Sequence, residues 1–348
     1  MKKSHQLKVV RILNETTSQA AGEKKPDEGV LIRPFQFSDG SLLDQVRIAY
    51  SLRGNPDGPL VAVLGGISAN RHCSESEGQE GWWNSMVGPG KSIDLATYRI
   101  LSMDFLGGAD ASSSAKDLNE RAGKEVAVST FDQARALGMI LDTLGIPRLD
   151  ILIGASFGGM VGLAFCGSFP QRVGTLICIS ASHESVPQAI ALREIQRRIV
   201  RLSAQSGQEK QALSLARQLA MVTYRTPDEL NQRFQHGAAS TDQPGSILGY
   251  LDYCGAKFSE RFPLDSYLTL SGSLDQHRVD PATITSPVHL IGIDSDLLVP
   301  FHQLADLARQ IKGPVYLHKL SSLYGHDAFL KEVFTFSQLI KSILEKQS

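Results

Sequence analysis

Hydrophobic residues along the chain fall into short, almost uninterrupted runs that alternate with segments of helical spacing. The runs cover Leu60–Leu64, Arg99–Phe105, Leu149–Ile153, Thr175–Ile179, Val288–Ile293 and Val315–Leu320. Such runs are typical of strands that are buried on both faces of a parallel sheet. The sequence therefore predicts an α/β fold with a mostly parallel central sheet and right-handed crossovers between its strands.

The N-terminal part of the chain follows a different pattern. Residues 1–28 are polar and are predicted to form a flexible arm. Two extended segments follow, Val30–Phe37 and Gln45–Leu52, and the turn residues Ser38–Gly40 connect them. This arrangement predicts a β-hairpin ahead of the parallel strands.

Three segments carry clear helix signals. Phe131–Leu144 is preceded by two capping candidates, Ser129 and Thr130, and is ended by Gly145. A second helix should follow Ser156 and continue to about Phe169, because Pro170 stops it. We expect a final helix from about Ala328 to Glu345.

The alternation of strands and helices breaks between the fourth and fifth predicted parallel strands. Residues 185–285 contain no buried-strand run and are rich in Arg, Gln and Leu at helical spacing, over Ala189–Leu202, Gln208–Tyr224 and Pro227–Phe234. We interpret them as a helical cap inserted into a core of residues 29–184 and 286–348. Ligands of α/β sheets bind at the carboxyl ends of the strands, and the cap is expected to lie over that edge.

Composition and charge narrow the possible functions. Hydrophobic residues make up 42% of the 348 residues, which is enough to form a full hydrophobic core. The formal net charge is −1, so the chain lacks the excess of positive charge that would attract a polyanion such as nucleic acid. The four cysteines are far apart and are expected to be free thiols. No apolar run is long enough for a membrane span, and the N-terminus lacks the hydrophobic region of a signal peptide, so we expect a cytoplasmic enzyme.

The strongest chemical signal is a G-x-S-x-G motif at Gly154–Gly158, between a predicted strand and a predicted helix. This is the context of a nucleophile elbow, in which a strained turn projects the serine from the edge of the sheet. The small residues Gly154 and Gly158 permit that tight turn. Ser156 is therefore the predicted nucleophile.

A nucleophilic serine needs a histidine base and an acid that orients the histidine, in the chain order Ser, Asp or Glu, His. Of nine histidines, His326 alone lies in a loop between the last predicted strand and the last helix. Asp296 follows the strand Val288–Ile293, and Asp294 is a weaker alternative at the same place. The sequence thus predicts a triad of Ser156, Asp296 and His326.

An oxyanion hole should accompany this triad. The N–H of Phe157, directly after the nucleophile, is the first predicted donor. The second should come from the glycine-rich loop after the first parallel strand, and we assign the N–H of Ile67. The spacing of His, Cys, Asp and Glu supports no metal site.

Beyond the elbow, several segments give the chain a clear family likeness. They are Gly81–Trp83, Val87–Gly90, Asp104–Gly108, Ala216–Arg225, Tyr250–Tyr253 and Gly325–Leu330. With them the chain resembles the homoserine O-acyltransferase family of the α/β-hydrolase superfamily, from about residue 30 to the C-terminus.

The resemblance implies an α/β-hydrolase fold with a cap and a reaction in methionine biosynthesis. Ser156 would take an acyl group from acyl-CoA, a co-substrate, and pass it to the hydroxyl of L-homoserine, without a cofactor or a metal. It also implies that Arg217, Tyr224 and Asp327 surround the amino acid, and that the chain forms a homodimer. Nucleic acid and membrane are not expected partners.

The resemblance is closer to the succinyl-transferring branch of that family. Acetyl-transferring members carry a longer loop where this chain has Ala109–Ser113, whereas the elbow and the segment Leu192–Arg197 look like the succinyl branch. Because a succinyl group carries a second carboxylate, a cation should line the acyl pocket. Arg193 is the first candidate and Arg71 the second.

Several alternatives remain open at this point. An acetyl donor, or L-serine as the acceptor, would change the product and leave the chemistry the same. A carboxylesterase-type hydrolase would use the same triad. A non-catalytic binding protein on this fold is the remaining class, and it is disfavoured because every triad position is filled.

Overall fold

An eight-stranded sheet runs through the centre of the computed structural model, which describes residues 27–76, 78–204, 207–234 and 245–346. The strands are β1 (Asp27–Gln36), β2 (Leu42–Gly54), β3 (Leu60–Leu64), β4 (Arg99–Met103), β5 (Leu149–Ala155), β6 (Val173–Ile179), β7 (Val288–Ile293) and β8 (Val315–Leu320). The predicted hairpin is β1 and β2. Residues 1–26 of the predicted arm lie outside the described residues, and the chain from Asp27 already belongs to β1.

The strands lie in the order β1-β2-β4-β3-β5-β6-β7-β8. Strand β2 is antiparallel to both of its neighbours, and every pairing from β4 to β8 is parallel. The predicted mostly parallel α/β sheet is therefore confirmed. Side chains alternate between two cores; on β3, for example, Ala62 and Leu64 face one layer and Val61 and Val63 the other.

One strand departs from the predicted double-sided burial. Every residue of β3 and β7 is buried, whereas no residue of β8 is, and Tyr316 and Leu317 are exposed. The reason is position, because β8 closes the sheet at its edge and has a neighbour on one side only.

Within the described residues, six α-helices flank the sheet. They are α1 (Ala115–Ala122), α2 (Thr130–Leu144), α3 (Phe157–Ser168), α9 (Phe301–Gln310), α10 (Ala328–Lys331) and α11 (Val333–Leu344). The start of α2 is capped by Ser129, whose hydroxyl accepts from the Asp132 N–H in a capping box, and its end is closed by Gly145 in the left-handed conformation. Of the two capping candidates, Ser129 is the cap.

The predicted final helix is not continuous in the structure. It breaks at Glu332, so that α10 and α11 are separate. The indole N–H of Trp83 donates to the carbonyl oxygen of Phe329 at 3.0 Å. This carbonyl would accept from Val333 in an unbroken helix, and the buried tryptophan takes that place.

In the described part of the interval between β6 and β7, where the cap is predicted, there are five α-helices. They are α4 (Pro187–Ala204), α5 (Glu209–Tyr224), α6 (Pro227–Arg233), α7 (Ile247–Arg261) and α8 (Leu264–Gln276). The first three match the predicted helical segments, while α7 and α8 had no prediction of their own. Helix α8 is tied to the core by the Ser266 hydroxyl, which donates to the Gly108 carbonyl at 2.8 Å.

The four cysteines lie within the described residues and can be compared with the prediction of free thiols. Cys73, Cys166 and Cys178 are buried and Cys254 is half-buried, and all four are free. Burial raises the pKa of the Cys73 and Cys166 thiols to about 12, which makes them poor nucleophiles.

No helix in the described ranges of the chain combines the length and apolar character that crossing a membrane requires.

Candidate active site

Ser156 stands in the turn between β5 and α3 with an unusual backbone conformation. Its φ is 53° and its ψ is −118°, a strained state for a residue with a side chain. A Cβ at Gly158 would lie 2.3 Å from the Leu64 carbonyl oxygen, and one at Gly154 would lie 2.2 Å from the Gly158 oxygen. Only glycine fits at either place, so the strand and the helix approach closely enough to hold the serine in its strained turn.

The structure brings the three predicted triad residues together. Ser156 Oγ lies 2.8 Å from His326 Nε2, and His326 Nδ1 lies 2.7 Å from Asp296 Oδ2. The other carboxylate oxygen of Asp296 accepts the N–H groups of Leu298 and Val299, at 2.9 and 3.0 Å. Asp296 is thus fixed on both oxygens, and this arrangement can draw a proton from the serine hydroxyl toward the imidazole.

The alternative acid, Asp294, takes no part in this arrangement. It is exposed, and its carboxylate accepts a hydrogen bond from the Ser321 hydroxyl at 2.7 Å. The two aspartates differ because the chain turns between them, and only Asp296 faces the histidine.

The charges around His326 favour its protonated form. Burial alone would lower the pKa of the imidazole, but the Asp296 carboxylate, through its charge and its hydrogen bond, and then the charge of Asp327 outweigh it. The positive charge of Arg193 acts in the opposite direction. The net result is a pKa above the usual histidine value, which suits a group that must stabilise an imidazolium after taking a proton.

The two predicted oxyanion donors lie in segments that touch each other. The Gly158 N–H donates to the Gly65 carbonyl at 2.8 Å, which joins the start of α3 to the loop of Ile67. Within the described residues, neither the Phe157 N–H nor the Ile67 N–H donates to the backbone or to a side chain. Both donors therefore remain available to a substrate oxygen beside Ser156.

A cleft that is partly open to solvent lies above Ser156 and His326. The core contributes further residues such as Met160 and Ser180 to its walls, and Leu298 and Val299 come from the loop of Asp296. The cap provides the opposite wall, with Ser185, Leu192, Arg193, Gln196, Thr223, Tyr224 and Leu274. A substrate that reaches the serine is therefore enclosed between core and cap.

Comparison with known proteins places this geometry in a family. Residues 59–333 match the family of the α/β-hydrolase fold. The chain is 38% identical, over 86% of its length and 79% of the relative's, to the homoserine O-succinyltransferase of Xanthomonas campestris pv. campestris. The chain belongs to the α/β-hydrolase family, in its homoserine O-acyltransferase group. The family and fold expected from the sequence are confirmed.

Two further comparisons agree with this placement. The homoserine O-acetyltransferase of Geotalea daltonii is 28% identical over 90% of this chain and 95% of the relative. The crystal structure of homoserine O-acetyltransferase from Staphylococcus aureus superposes with a TM-score of 0.79 at 28% identity, covering 92% of this chain and 95% of that one. The likeness therefore includes cap and core together.

The two candidate acyl-pocket arginines of this α/β-hydrolase lie in different surroundings. Arg193, on α4, lines the cleft together with Ser156. Arg71 is not among the lining residues; its guanidinium lies 2.6 Å from Asp104 Oδ2 and 3.4 Å from Glu28 Oε2. These carboxylates raise the pKa of Arg71 against the opposing effect of burial, and they occupy its donors. The structure brings Arg193 to the serine, and not Arg71.

Arg217 and Tyr224, both on α5, form a stacked group in the cap, and of the two only Tyr224 is among the residues that line the cleft. The Arg217 guanidinium lies 5.4 Å from the ring centre of Tyr224 and 5.0 Å from that of Phe258. Tyr224 lines the cleft, and its ring centre is 5.7 Å from that of His326. No ion pair or hydrogen bond of the described residues engages Arg217, so its planar donors are free for a carboxylate.

Asp327 directly follows the histidine but is already paired. Its Oδ2 lies 3.0 Å from the Nε atom of Arg225, a buried arginine that also lies 3.5 Å from Glu229. Asp327 is not among the residues that line the cleft. Among the described residues, no hydrogen bond or ion pair engages its second carboxylate oxygen.

Other residues of the site had no signal in the sequence. Gln196 lines the cleft and accepts a hydrogen bond from the Tyr267 hydroxyl at 2.9 Å, and Ser185 and Asp275 both contact Arg193. Asp275 is 82 positions from Arg193, and nothing in its local pattern distinguishes it from a solvated helix residue. Among the described residues, no group of three or more His, Cys, Asp or Glu side chains could hold a metal ion.

Proposed function

We propose that this chain transfers a succinyl group from succinyl-CoA to the hydroxyl of L-homoserine, through a succinyl ester on Ser156, in methionine biosynthesis. The observation that carries the proposal is the aligned Ser156, His326 and Asp296 in a cleft that also presents Arg193. A serine nucleophile alone fits any acyl transfer. An arginine in the same cleft favours an acyl group with a carboxylate of its own.

In the first half-reaction His326 accepts the proton of the Ser156 hydroxyl while the serine oxygen attacks the thioester carbon. The N–H groups of Phe157 and Ile67 stabilise the resulting oxyanion, a contribution of about 3 kcal/mol for each donor in comparable enzymes. The carbon–sulfur bond then breaks, and the imidazolium returns the proton to the sulfur of the departing CoA. Ser156 is left as an ester.

In the second half-reaction the hydroxyl of homoserine takes the place of CoA. His326 removes its proton, the oxygen attacks the ester carbon, and Ser156 leaves with the proton from the imidazolium. Arg217, stacked on Tyr224, binds the carboxylate of the amino acid, and Asp327 binds its ammonium group. The cap limits access of water, which would otherwise hydrolyse the ester.

Steady-state kinetics with paired substrates test the proposal. The purified chain is assayed with succinyl-CoA or acetyl-CoA against homoserine or serine, and CoA release is followed with and without acceptor. We expect the highest kcat/KM for succinyl-CoA with homoserine. Hydrolysis of an acyl ester at a rate independent of homoserine would support an esterase instead.

A second experiment tests the covalent intermediate. Rapid mixing with succinyl-CoA, followed by intact-mass measurement, should show a succinyl adduct that disappears when homoserine is added. The S156A protein should show no adduct. A wild-type enzyme that turns over without any adduct on Ser156 would refute the two-step route.

An acetyl donor is the second candidate. The likeness to acetyltransferases of Geotalea daltonii and Staphylococcus aureus, over nine-tenths of the chain, favours it. Acetyl-CoA would leave Arg193 without a partner in the cleft. The donor comparison above separates the two, and L-serine as acceptor is tested by the same series.

Dimer formation through the cap stays a prediction. Helices α5 and α7 expose apolar side chains, namely Leu215, Val222, Leu248 and Tyr253, as an interface would require. Sedimentation equilibrium of the wild type, compared with a variant carrying Val222→Glu and Tyr253→Glu, should show a dimer converted to a monomer. A monomeric wild type would contradict the prediction.

A further inference from the structure

We propose that Asp275 is a positioning residue for Arg193, and that it thereby sets the preference of the enzyme for an acyl donor with a distal carboxylate. This inference rests on the proposed function. Asp275 lies on α8, at the far end of the cap sequence from Arg193 on α4, so two helices of the cap must meet to form the pair.

The contacts of Arg193 fix its guanidinium on one edge. Its Nε donates to Asp275 Oδ1 at 2.6 Å, and its Nη2 donates to the Ser185 hydroxyl oxygen at 2.8 Å. Its Nη1 has no hydrogen-bond partner among the described residues. An arginine held through Nε and Nη2 still presents Nη1 and the remaining N–H of Nη2 to a carboxylate in the cleft.

The partners of Arg193 are themselves held. Asp275 Oδ2 forms an ion pair with Arg197 Nη2 at 2.6 Å, and Arg197 Nη1 donates to the carbonyl and hydroxyl oxygens of Ser271. The Ser185 hydroxyl donates to the Leu274 carbonyl at 2.8 Å. Because the Asp275 side chain is 11% exposed and that of Arg197 is 8% exposed, water competes little for these contacts.

Arg193 shares its carboxylate partner with a second cation of the cap. Two guanidinium groups, of Arg193 and Arg197, share the single carboxylate of Asp275. Glu194 balances Arg197 from the other side, at 3.0 Å, and also pairs with the exposed Arg198. A succinyl carboxylate can bind the Nη1 side of Arg193, which Asp275 and Ser185 leave open, whereas an acetyl group has no charge to offer. The contact is therefore differential between donors.

The test is a specificity ratio, the kcat/KM for succinyl-CoA divided by that for acetyl-CoA, with homoserine as acceptor. Without the Asp275 carboxylate, Arg193 loses its acceptor at Nε and faces Arg197 unshielded. We expect D275A to lower the ratio by about 10-fold or more, the usual effect of losing a charge-assisted hydrogen bond. D275N keeps an acceptor oxygen and should retain more of the ratio than D275A does.

Glu194 supplies the matched control. It is a carboxylate of the same cluster that pairs with Arg197 and not with Arg193, so E194A should leave the ratio within about 2-fold of wild type. An equal loss for both donors in D275A, or an unchanged ratio, would overturn the inference. If D275A does not fold, the single variants D275N and R193K replace it. An unchanged ratio in both of them would overturn the inference.

The outcome separates the two proposals. A wild-type enzyme with no preference for succinyl-CoA contradicts the proposed function before any variant is made. A wild type with that preference, and Asp275 variants that keep it, contradicts only the positioning role.

Discussion

The core wall and the cap wall of the cleft hold their functional groups by different means. On the core wall, Ser156 is fixed by backbone geometry, and Asp296 is fixed by two backbone N–H groups. On the cap wall, Arg193 is held by side chains, and Arg217, behind the wall residue Tyr224, is held by stacking on aromatic rings. Backbone contacts survive most substitutions, while side-chain contacts change with a single one.

This difference assigns the two walls different tasks. Proton transfer needs atoms placed within a few tenths of an ångström, and the ends of β5 and β7 provide that accuracy. Recognition of the acyl and amino acid groups needs only the right charge at the right side of the cleft. Variants on the core wall should therefore lose activity with every substrate, and variants on the cap wall should change which substrate is preferred.

The largest effect is expected at the triad. S156A should lower kcat by about 10⁴-fold or more with every donor, and D296N by a comparable factor, because the imidazole would lose its orientation. D294N is the matched control and should keep activity within about 2-fold, since Asp294 is exposed and outside the triad. Progress curves for CoA release measure all three, and an active D296N would remove Asp296 from the mechanism.

The next largest effect is expected at Gly158, where the start of α3 lies close to the end of β3 beneath the serine. An alanine Cβ at Gly158 would meet the Leu64 carbonyl, so G158A should lower the free energy of unfolding by about 3 kcal/mol and reduce activity with all donors. Gly272 on α8 has no atom within 4 Å of such a Cβ, so G272A should be neutral or stabilising by up to about 1 kcal/mol. Urea unfolding measures both, and equal stability of the two variants would contradict the argument.

A smaller and more selective effect is expected on the cap wall. R217A should raise the KM for homoserine about 10- to 30-fold, because a carboxylate loses a charged partner, and should leave acylation by succinyl-CoA nearly unchanged. R217K keeps the charge but loses the planar arrangement of donors, so its KM for homoserine should lie between those of the wild type and R217A. Single-turnover acylation and steady-state kinetics together make the test, and slowed acylation in R217A would contradict a role confined to the acceptor.

The smallest expected effect is a shift of the pH profile of kcat/KM. Asp327 raises the pKa of His326, so D327N should lower that pKa, and the neutral imidazole that acts as the base should persist to lower pH. The acid limb of kcat/KM for succinyl-CoA should therefore move to lower pH. The profile is measured from acylation without acceptor, which excludes the proposed effect of Asp327 on homoserine binding. A shift to higher pH would contradict the electrostatic argument.

Much of the site could be predicted because its signals are local. The Gly154–Gly158 motif, the aspartate after β7 and the histidine after β8 each lie next to an apolar run, and the topology of a parallel sheet sends all three to one edge. Asp294 and Asp296 both follow β7, so this signal does not separate them, and in the structure only Asp296 faces His326.

Predictions were weaker where the outcome depended on distant contacts. The expected final helix breaks because Trp83, 246 positions away, takes a carbonyl of that helix. Strand β8 has an apolar sequence, yet it is exposed because of its place at the edge. The sequence does not show the surroundings of the two candidate arginines. Packing places carboxylates around Arg71 and places Arg193 in the wall of the cleft.

The sheet, the elbow and the order of nucleophile, acid and base follow from local patterns in the sequence, since hydrophobic period and glycine placement act within a few residues of each other. The tertiary structure alone decided which charges meet. The pairs Arg193 with Asp275 and Arg225 with Asp327 join residues about 80 to 100 positions apart, and each forms because a buried charge needs an opposite charge beside it.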